Sequence, residues 1–316
     1  MANKSIGFDP APPGKYPIKT ILTDSDLDGI VSGAILRTVY PHAEIVNADA
    51  TGMQEGKWDH LINESTLIVD LKYKTGVGLY FDHHKSNKPD TEDFPGRWQE
   101  VDSAARVVYE YFKSDFDLAK FDEIVTEVDK LDMGKLTLDE FLNPSGVIKL
   151  GLTINNSDLA FNYLLIELLA TQPLQSVLDH HLVNERIEKT LGAISQVYKY
   201  IKGKVELINN VAYIDLSEYE SPFRVSSFAF IAKFPKIDAA VVFKKSGNPE
   251  GYKVRMYRNN FNKRAHGYHL LKVAKKLNPS LSGGHKNACG FTPKAGKSKK
   301  DTTEQISREL QAQRDK

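Results

Sequence analysis

The sequence predicts an α/β protein with a larger N-terminal domain on a mostly parallel sheet, a helical connector and a smaller α/β domain. Three observations favour this fold class. Short β-favouring runs alternate with helical patterns over the first 112 residues, which is typical of a parallel sheet. The run Leu67-Ile68-Val69 is apolar throughout, as a strand buried on both faces is. Strand signals return after residue 203 with helical patterns between them.

In the N-terminal domain, each predicted element has a local signal. The helix Ile30–Tyr40 is stopped by Pro41, and the helix that ends near Phe112 is capped by Asp102 or Ser103. The predicted strands of this domain are Ile18–Thr23, Ala43–Ala48, Thr66–Leu71 and Gly78–Phe81.

Beyond Leu118 the pattern turns helical, and Pro173 opens a long helix towards Tyr200. The remaining predicted helices are Leu159–Ala170, Phe223–Lys233 and His266–Lys276, and the later strands are Lys204–Ile208, Val211–Leu216, Asp238–Lys244 and Tyr252–Tyr257. We therefore divide the chain into a first domain over 1–170, a helical connector over 171–200, a second domain over 201–293 and a polar tail over 294–316 that ends in a short helix.

Composition excludes several classes of protein. The 316 residues suffice for two domains, and 41% hydrophobic with 26% charged residues is ordinary for a globular chain. A single cysteine, Cys289, excludes an intramolecular disulfide and a cysteine-rich zinc site. The polar, proline-rich lead over 1–17 has no signal-peptide pattern, and no run approaches the roughly 18 apolar residues of a membrane span. We expect a cytoplasmic protein without a membrane partner.

The segment Asp24-Ser25-Asp26-Leu27-Asp28-Gly29 places three carboxylates at alternate positions between a predicted strand and a helix. Carboxylates this close repel each other and normally need a cation. A solvated acidic turn is the alternative. A calcium-binding EF-hand loop begins in the same way, but it needs a glutamate at its twelfth position, which here is Ile35.

Two further strands end in metal-ligating side chains, Asp70 and the tripeptide Asp82-His83-His84. A lone aspartate at a strand end is more often a cap or a turn residue. Three parallel strands that end in such residues, however, deliver them to one edge of the sheet. The tripeptide recurs as Asp179-His180-His181 inside a predicted helix, and we interpret that copy as an exposed helix face.

Together these motifs resemble those of the DHH family of phosphoesterases, which includes RecJ-like exonucleases and nanoRNases, and the resemblance covers most of the chain. The first motif has the Asp-rich form of RecJ-like exonucleases, with Leu22 where many members have a histidine. Asp70 matches the second motif, Asp82-His83-His84 the third, and Asp102 to Arg106 the family's small-residue helix start. Asp129 and Asp132 are the two candidates for the fourth motif.

The second domain carries an independent signature, Gly283-Gly284-His285-Lys286-Asn287-Ala288-Cys289-Gly290. It is similar to the glycine-rich sequence of the DHH-associated domain, in which glycines let backbone amides approach a phosphate. Arg258 aligns with the family's phosphate-binding arginine, and Arg255 is the alternative.

The resemblance implies a site with two Mn²⁺ ions, or Mg²⁺ in their place. The implied metal ligands are Asp24, Asp26, Asp28, Asp70, His83 and Asp129, with Asp132 as the alternative to the last. Asp82 and His84 belong to the implied catalytic set. Arg258, Gly283, Gly284 and His285 are the implied phosphate-binding residues.

The implied activity is that of an exonuclease that hydrolyses phosphodiester bonds in single-stranded DNA or RNA or in short oligonucleotides, releasing mononucleotides. The formal net charge of +1 favours a local contact with nucleic acid rather than one along the whole surface. The alternatives are a cyclic dinucleotide phosphodiesterase, a 3′-phosphoadenosine 5′-phosphate phosphatase, and a catalytically degenerate relative that binds nucleic acid. The sequence does not decide whether the chain forms a homodimer.

Overall fold

The computed structural model describes residues 5–9, 15–220, 225, 227–246, 251–262, 265, 267–284 and 286–314. The chain divides into two compact units. The first comprises Met1–Lys135 and Pro144–Ile187, and the second comprises Leu136–Asn143 and Glu188–Lys316. The starts predicted for two helices, at Phe223 and His266, lie outside the described residues.

Twelve strands and twelve α-helices are formed by the described residues. The strands are β1 Ser5–Ile6, β2 Thr20–Thr23, β3 Glu44–Asn47, β4 Thr66–Val69, β5 Leu79–Asp82, β6 Gly96–Gln99, β7 Val205–Ile208, β8 Val211–Leu216, β9 Ala239–Lys245, β10 Tyr252–Arg258, β11 Ser282–Gly284 and β12 Ala288–Phe291. The helices are α1 Leu27–Val39, α2 Ala50–Glu55, α3 Ala104–Phe112, α4 Asp122–Asp132, α5 Leu138–Leu142, α6 Gly146–Thr153, α7 Leu159–Thr171, α8 Leu174–Asp179, α9 His181–Tyr200, α10 Ser227–Lys233, α11 Leu270–Leu277 and α12 Lys299–Arg314.

The sheet of the first unit has the strand order β1-β6-β5-β4-β2-β3. All neighbouring pairs are parallel except β1 with β6. Every residue of β4 and β5 is buried, because helices or loops cover both faces of the sheet. The expected parallel-sheet α/β architecture is confirmed.

Apolar side chains of alternate sheet residues fill two cores, one on each face. Ile21 and Val69 pack with helix residues such as Ile35 on one side. Leu22 and Ile68, their neighbours in sequence, pack against Trp58 and aromatic residues of the loops on the other side. This alternation follows from the two-residue period of a strand. Because apolar side chains cover both faces of the sheet, polar residues lie at the carboxyl ends of its strands.

The sheet of the second unit has the order β11-β12-β10-β9-β8-β7. Only β8 and β9 pair in parallel, and the other neighbours are antiparallel. One face packs against α11 and α12, with Ile306 and Leu310 of α12 in the core. The polar tail therefore ends in a 16-residue helix that packs onto this unit, longer than the short helix predicted from the sequence.

The long helix predicted from Pro173 towards Tyr200 is two helices. Helix α8 ends at Asp179, His180 has an extended backbone with ψ of 128°, and α9 begins at His181. The division between the two units falls inside α9, between Ile187 and Glu188. Among the described helices, none is both long enough and apolar enough to cross a membrane.

Candidate metal centre

The carboxyl ends of β5, β4 and β2 lie side by side, because these strands are neighbours in a parallel sheet. Asp24 follows β2, Asp70 follows β4, and His83 follows β5. Ligand atoms of these residues and their neighbours form three overlapping groups, with all atoms of a group within 4.8 Å of one another. The groups are Asp24, Asp26 and Asp70; Asp28, His83 and Asp132; and Asp70, Asp82, His83 and His84.

The Asp24–Gly29 loop owes its tight shape to the start of α1. Asp26 is the N-cap, and its Oδ1 accepts a hydrogen bond from the Gly29 amide at 3.0 Å. A Cβ on Gly29 would lie 2.2 Å from the carbonyl oxygen of Asp24. The loop can therefore fold back onto the helix only because residue 29 has no side chain, and this places three carboxylates at one strand end.

Asp70 has a left-handed backbone conformation with φ of 58°. Outside glycine this conformation is uncommon, and it costs of order 1 kcal/mol or more. The Asp70 amide donates to the carbonyl oxygen of Phe81 at 3.0 Å, which ties the end of β4 to β5. The strained turn aims the carboxylate at the other acidic residues, and its Oδ1 is buried without a hydrogen-bond partner among the described residues.

The His83 ring has the geometry of a metal ligand. Its Nδ1 lies 3.1 Å from the carbonyl oxygen of Val101, a contact in which Nδ1 must carry the proton and donate it. While the ring is neutral, Nε2 is then a bare lone pair, 3.5 Å from Asp28 Oδ2, 3.5 Å from Asp132 Oδ2 and 3.9 Å from Asp70 Oδ1. A lone pair that faces three carboxylates fits a cation between them.

Asp28 is held by the N-terminus of α3. Its Oδ2 accepts from the Ala104 amide and its Oδ1 from the Ala105 amide, both at 2.7 Å. Those amides have no partner inside their own helix, so a carboxylate is favoured there. The small-residue start of α3, singled out in the sequence, thus fixes a residue 76 positions earlier in the chain.

Of the two candidates for the fourth ligand, Asp132 belongs to one of these groups and Asp129 does not. The Asp129 carboxylate accepts hydrogen bonds from the Ser103 hydroxyl at 2.6 Å and from Arg106 Nε and Nη2 at 3.0 and 2.8 Å. Asp132, the alternative, has its carboxylate next to His83 instead. The two residues are three positions apart on α4, so their side chains point to neighbouring but different places on the helix surface.

Asp82 anchors the tripeptide instead of facing outwards. Its buried carboxylate accepts from the His83 amide at 2.6 Å, the His84 amide at 2.9 Å, Tyr80 Oη at 2.9 Å and Asn87 Nδ2 at 2.8 Å. The same carboxylate lies 3.0 Å from His84 Nδ1. Asp82 therefore positions His84, whose side chain is 41% exposed. Tyr80 and Asn87 lack any sequence signal that would mark them as part of this network.

The metal-free cluster is electrostatically unfavourable. Burial and the neighbouring charge of Asp26 raise the pKa of Asp24 and of Asp132 to about 7. Burial, followed by the charge of Asp132, raises the pKa of Asp28 well above its usual range. Burial, followed by the charge of Asp28, does the same to the pKa of Asp70. A divalent cation among these groups would remove that penalty, because it favours the charged carboxylates.

The pKa values of His83 and His84 are shifted in opposite directions by their surroundings. Burial, reinforced by the charge of His84, lowers the pKa of His83 and keeps its ring neutral. For His84, burial acts in the same direction, but the hydrogen bond and charge of Asp82 outweigh it and raise its pKa to about 9. One ring is therefore suited to bind a cation and the other to carry a proton.

In the second unit, Gly283 and Gly284 lie on β11, the edge strand of the sheet. A cavity of about 350 Å³ is lined by Gly283, Arg255 and Lys253, together with Ser280, Ser282 and Thr292. Arg258 is three residues beyond Arg255 on β10 and projects to the opposite face. His285 lies outside the described residues. Of the two arginine candidates, it is Arg255 that shares a cavity with the glycine-rich strand.

Charge is distributed unevenly between the two units, which the overall value of +1 conceals. The first unit has 17 Lys and Arg against 28 Asp and Glu, a net charge of −11. The second has 25 against 13, a net charge of +12. The first unit is thus suited to cations and the second to a polyanion.

The second copy of the tripeptide has no comparable surroundings. Asp179 and His181 are exposed, and His180 caps α8. The rings of His180 and His181 lie 4.8 Å apart. Among the described residues, neither histidine belongs to a group that could hold a metal ion.

No family model matches the sequence, and no curated protein is significantly similar to it. Several solved structures, however, are similar to the structure of this chain. A pGpG-specific phosphodiesterase from Vibrio cholerae, PggH, superimposes with a TM-score of 0.79 at 22% identity, over 93% of this chain and 99% of that chain.

RecJ from Thermus thermophilus in complex with Mn²⁺ superimposes with a TM-score of 0.57 at 12% identity, over 95% of this chain. The matched region is 53% of that RecJ chain. CDC45 from Entamoeba histolytica gives a TM-score of 0.55 at 8% identity, over 95% of this chain and 96% of that chain. Over nearly its whole length, the chain therefore has the fold of the DHH phosphoesterases, as the sequence motifs predicted.

Proposed function

We propose that the protein is a metal-dependent phosphodiester hydrolase that acts as an exonuclease on single-stranded or short oligonucleotides and releases mononucleotides. Mn²⁺ is the proposed metal, with Mg²⁺ as a substitute. Both fit a donor set of carboxylates and imidazole without thiolate. The proposal starts from the fold, which is shared with a pGpG-specific phosphodiesterase and with RecJ in complex with Mn²⁺, and adds the chemistry of this chain's own residues.

The observation that carries the proposal is the lone pair of His83 Nε2 facing Asp28, Asp70 and Asp132. A structural histidine among acidic residues would be protonated and would donate to one of them. Here burial and the charge of His84 lower the pKa of the ring, which favours its neutral form, and Val101 fixes the single proton of that form on Nδ1. A divalent cation at this position would satisfy the lone pair and let the neighbouring carboxylates stay charged.

The residues fit two cation positions. Asp24, Asp26 and Asp70 would hold one ion, and Asp28, His83 and Asp132 the other; Asp70 Oδ1 also lies 3.9 Å from His83 Nε2. Bound there, divalent ions would supply Lewis-acid stabilisation of phosphoryl oxygens and would activate water for attack at neutral pH.

His84 is the proposed catalytic residue of the tripeptide. Its Nδ1 faces Asp82, so its Nε2 is left for a hydrogen bond to a phosphoryl oxygen. In the metal-free protein the hydrogen bond and charge of Asp82 raise the pKa of this ring to about 9, and its partial exposure lets a substrate reach it. Asp82 is a positioning residue, because its own hydrogen bonds hold the ring and the two following amides.

A short oligonucleotide is favoured by the charge and cavity of the second unit. Its net charge of +12 attracts a polyanion. Within it, Arg255 and Lys253 line the cavity beside Gly283, where a phosphate can approach the backbone. No acidic side chain lines this cavity among the described residues.

A linear dinucleotide is the smallest substrate that satisfies these requirements, and the similarity to a pGpG-specific phosphodiesterase supports it. A cyclic dinucleotide is the second candidate, since it presents the same bases and phosphodiester bonds without a terminus. The two differ in the need for a free end, which separates an exonuclease from a ring-opening enzyme.

The decisive experiment is a panel of labelled substrates incubated with Mn²⁺. It comprises a linear dinucleotide, a single strand of ten residues, its duplex, a circular single strand, a cyclic dinucleotide and 3′-phosphoadenosine 5′-phosphate. We expect mononucleotides from the first two and little product from the duplex or the circle. Hydrolysis of the cyclic dinucleotide alone would replace this proposal with the second candidate.

The control is Asp70→Asn, which keeps the size of the side chain and removes the charge shared by both groups. Product from wild type but not from this variant assigns the activity to the cluster. Binding of oligonucleotides by wild type without any hydrolysis, in the presence of Mn²⁺ or Mg²⁺, would identify a degenerate relative and refute the enzyme proposal.

A further inference from the structure

The N-terminus of α3 connects two carboxylates that come from different helices. Asp28 of α1 accepts from the amides of Ala104 and Ala105, and Asp129 of α4 accepts from the side chains of Ser103 and Arg106. The first carboxylate belongs to the candidate metal centre, and the second does not. Four consecutive residues thus hold both helices in register with each other.

The contact between Arg106 and Asp129 is specific in geometry. Nε and Nη2 of the guanidinium donate to the same carboxylate oxygen, Asp129 Oδ2, at 3.0 and 2.8 Å. Nη2 also lies 3.2 Å from the Thr126 hydroxyl, one turn earlier on α4. The side chains of Arg106 and Asp129 are 22% and 16% exposed, so water screens the pair only partly.

Asp132 is the last residue of α4, one turn beyond Asp129. Helix ends fray unless something holds them, and the chain leaves the helix through Met133 and the positive φ of Gly134. Asp129 lies one turn before the end of α4, and it is where Ser103 and Arg106 at the start of α3 contact this helix. The Asp132 carboxylate lies 3.5 Å from His83 Nε2, so a shift of this last turn would move it away from the ring.

We propose that Arg106 is a positioning residue for the metal centre, which sets metal affinity through Asp129 and the last turn of α4 without touching the metal. The inference rests on the proposed metal site. It adds that an arginine outside the ligand set contributes to the affinity of the site for the metal ion. It also gives Asp129 a role, as the carboxylate that Arg106 holds.

The test is titration of the metal-free protein with Mn²⁺ by calorimetry, with no substrate present. Loss of residues that orient metal ligands typically lowers affinity by about 10- to 100-fold. We expect Arg106→Gln and Asp129→Asn each to raise the Mn²⁺ dissociation constant by about tenfold. Arg106→Lys keeps the charge but not the two-pronged contact, so it should also weaken binding, and it serves if the glutamine variant does not fold.

The matched control is Arg37→Gln. Arg37 donates from Nε to Glu167 Oε1 at 2.7 Å and is 19% exposed, so it is a similar arginine–carboxylate pair in the same unit. This variant should lose stability but bind Mn²⁺ as wild type does. Equal losses of affinity in Arg37→Gln and Arg106→Gln would mean that general destabilisation explains the effect, and would overturn the proposal.

A double-mutant cycle tests the route through Asp132. If Arg106 acts by placing that carboxylate, Arg106→Gln should have no further effect on Mn²⁺ affinity in an Asp132→Asn background. Additive losses would overturn the proposal. If wild type binds Mn²⁺ and all Arg106 variants match it, only this inference fails. If wild type binds no divalent ion, the proposed metal site fails with it.

Discussion

His83 Nδ1 and the carbonyl oxygen of Val101 are 3.1 Å apart, and this contact determines what the opposite side of the ring can do. A carbonyl oxygen only accepts, so the Nδ1 proton stays on the ring and Nε2 has none to donate while the ring is neutral. Val101 lies just beyond β6, the strand next to β5. The sheet therefore supplies both the histidine and the group that fixes its tautomer.

The first prediction follows from this ring. His83→Ala should abolish the thermal stabilisation of the protein by Mn²⁺, and it should lower hydrolysis by more than the about 10- to 100-fold typical of residues that only orient a ligand. Melting temperatures with and without Mn²⁺ measure the effect. His181→Ala, in the exposed second tripeptide, is the control and should match wild type. If the two variants were equally impaired, His83 would have no special role in metal binding.

The second prediction separates the two aspartates of α4. Asp132→Asn should remove activity at every Mn²⁺ concentration, because its carboxylate faces His83. Asp129→Asn should need more Mn²⁺ but recover most of its activity when the ion is in excess. The measurement is turnover against Mn²⁺ concentration for both variants. Recovery by Asp132→Asn but not by Asp129→Asn would restore the ligand assignment made from sequence.

The sequence could predict the positions of the strand ends but not the register of α4. Apolar runs before Asp24, Asp70 and Asp82 mark buried strands, and parallel strands bring their ends to one edge. Asp129 and Asp132 lie on the same helix, three residues apart. Which of them faces the metal centre is determined by what packs against that helix. That neighbour is Arg106, which is distant in sequence, so local patterns contain no information about the choice.

The second unit shows the same limit. The net charge of each unit can be counted from the sequence only when the boundary at Ile187 is known. Because that boundary falls inside a helix, the amino-acid composition does not change in a way that would reveal it. Likewise, alternation along β10 predicts that Arg255 and Arg258 project to opposite faces. Which face has the cavity depends on the pairing of Gly283 with Gly290 across two strands.

The third prediction concerns pH. In the metal-free protein the folded-state pKa of Asp24 and Asp132 is about 7, compared with an unperturbed value of 3.8. Groups with a raised folded pKa favour the folded state below the unperturbed value, and this contribution is lost as pH rises through the folded pKa. The metal-free protein should therefore lose stability between about pH 4 and 7.

Thermal melts in chelator at several pH values measure this loss, and Mn²⁺ should reverse most of it at pH 7 and above. Asp70→Asn is informative here, because asparagine tolerates the left-handed backbone and carries no charge. This variant should melt at a higher temperature than wild type in chelator, by roughly 3–6 °C, yet gain little from Mn²⁺. A lower melting temperature in chelator would show that the Asp70 charge is already compensated within the protein.

The last prediction distinguishes the two arginines of β10. Arg255 lies against Gly290, where a Cβ would be 2.7 Å from its Nη1, and it lines the cavity beside Gly283. Arg255→Gln should therefore raise KM for a linear oligonucleotide several-fold and leave kcat nearly unchanged, because the metal centre is untouched. Each lost phosphate contact should also lower the salt dependence of binding to single strands by about 0.7 in the log–log slope. Arg258→Gln, on the opposite face, is the matched control with the same change of charge. If Arg258→Gln changed KM and the salt slope while Arg255→Gln did not, the phosphate site would lie on the other face of the sheet, as the family alignment alone suggested.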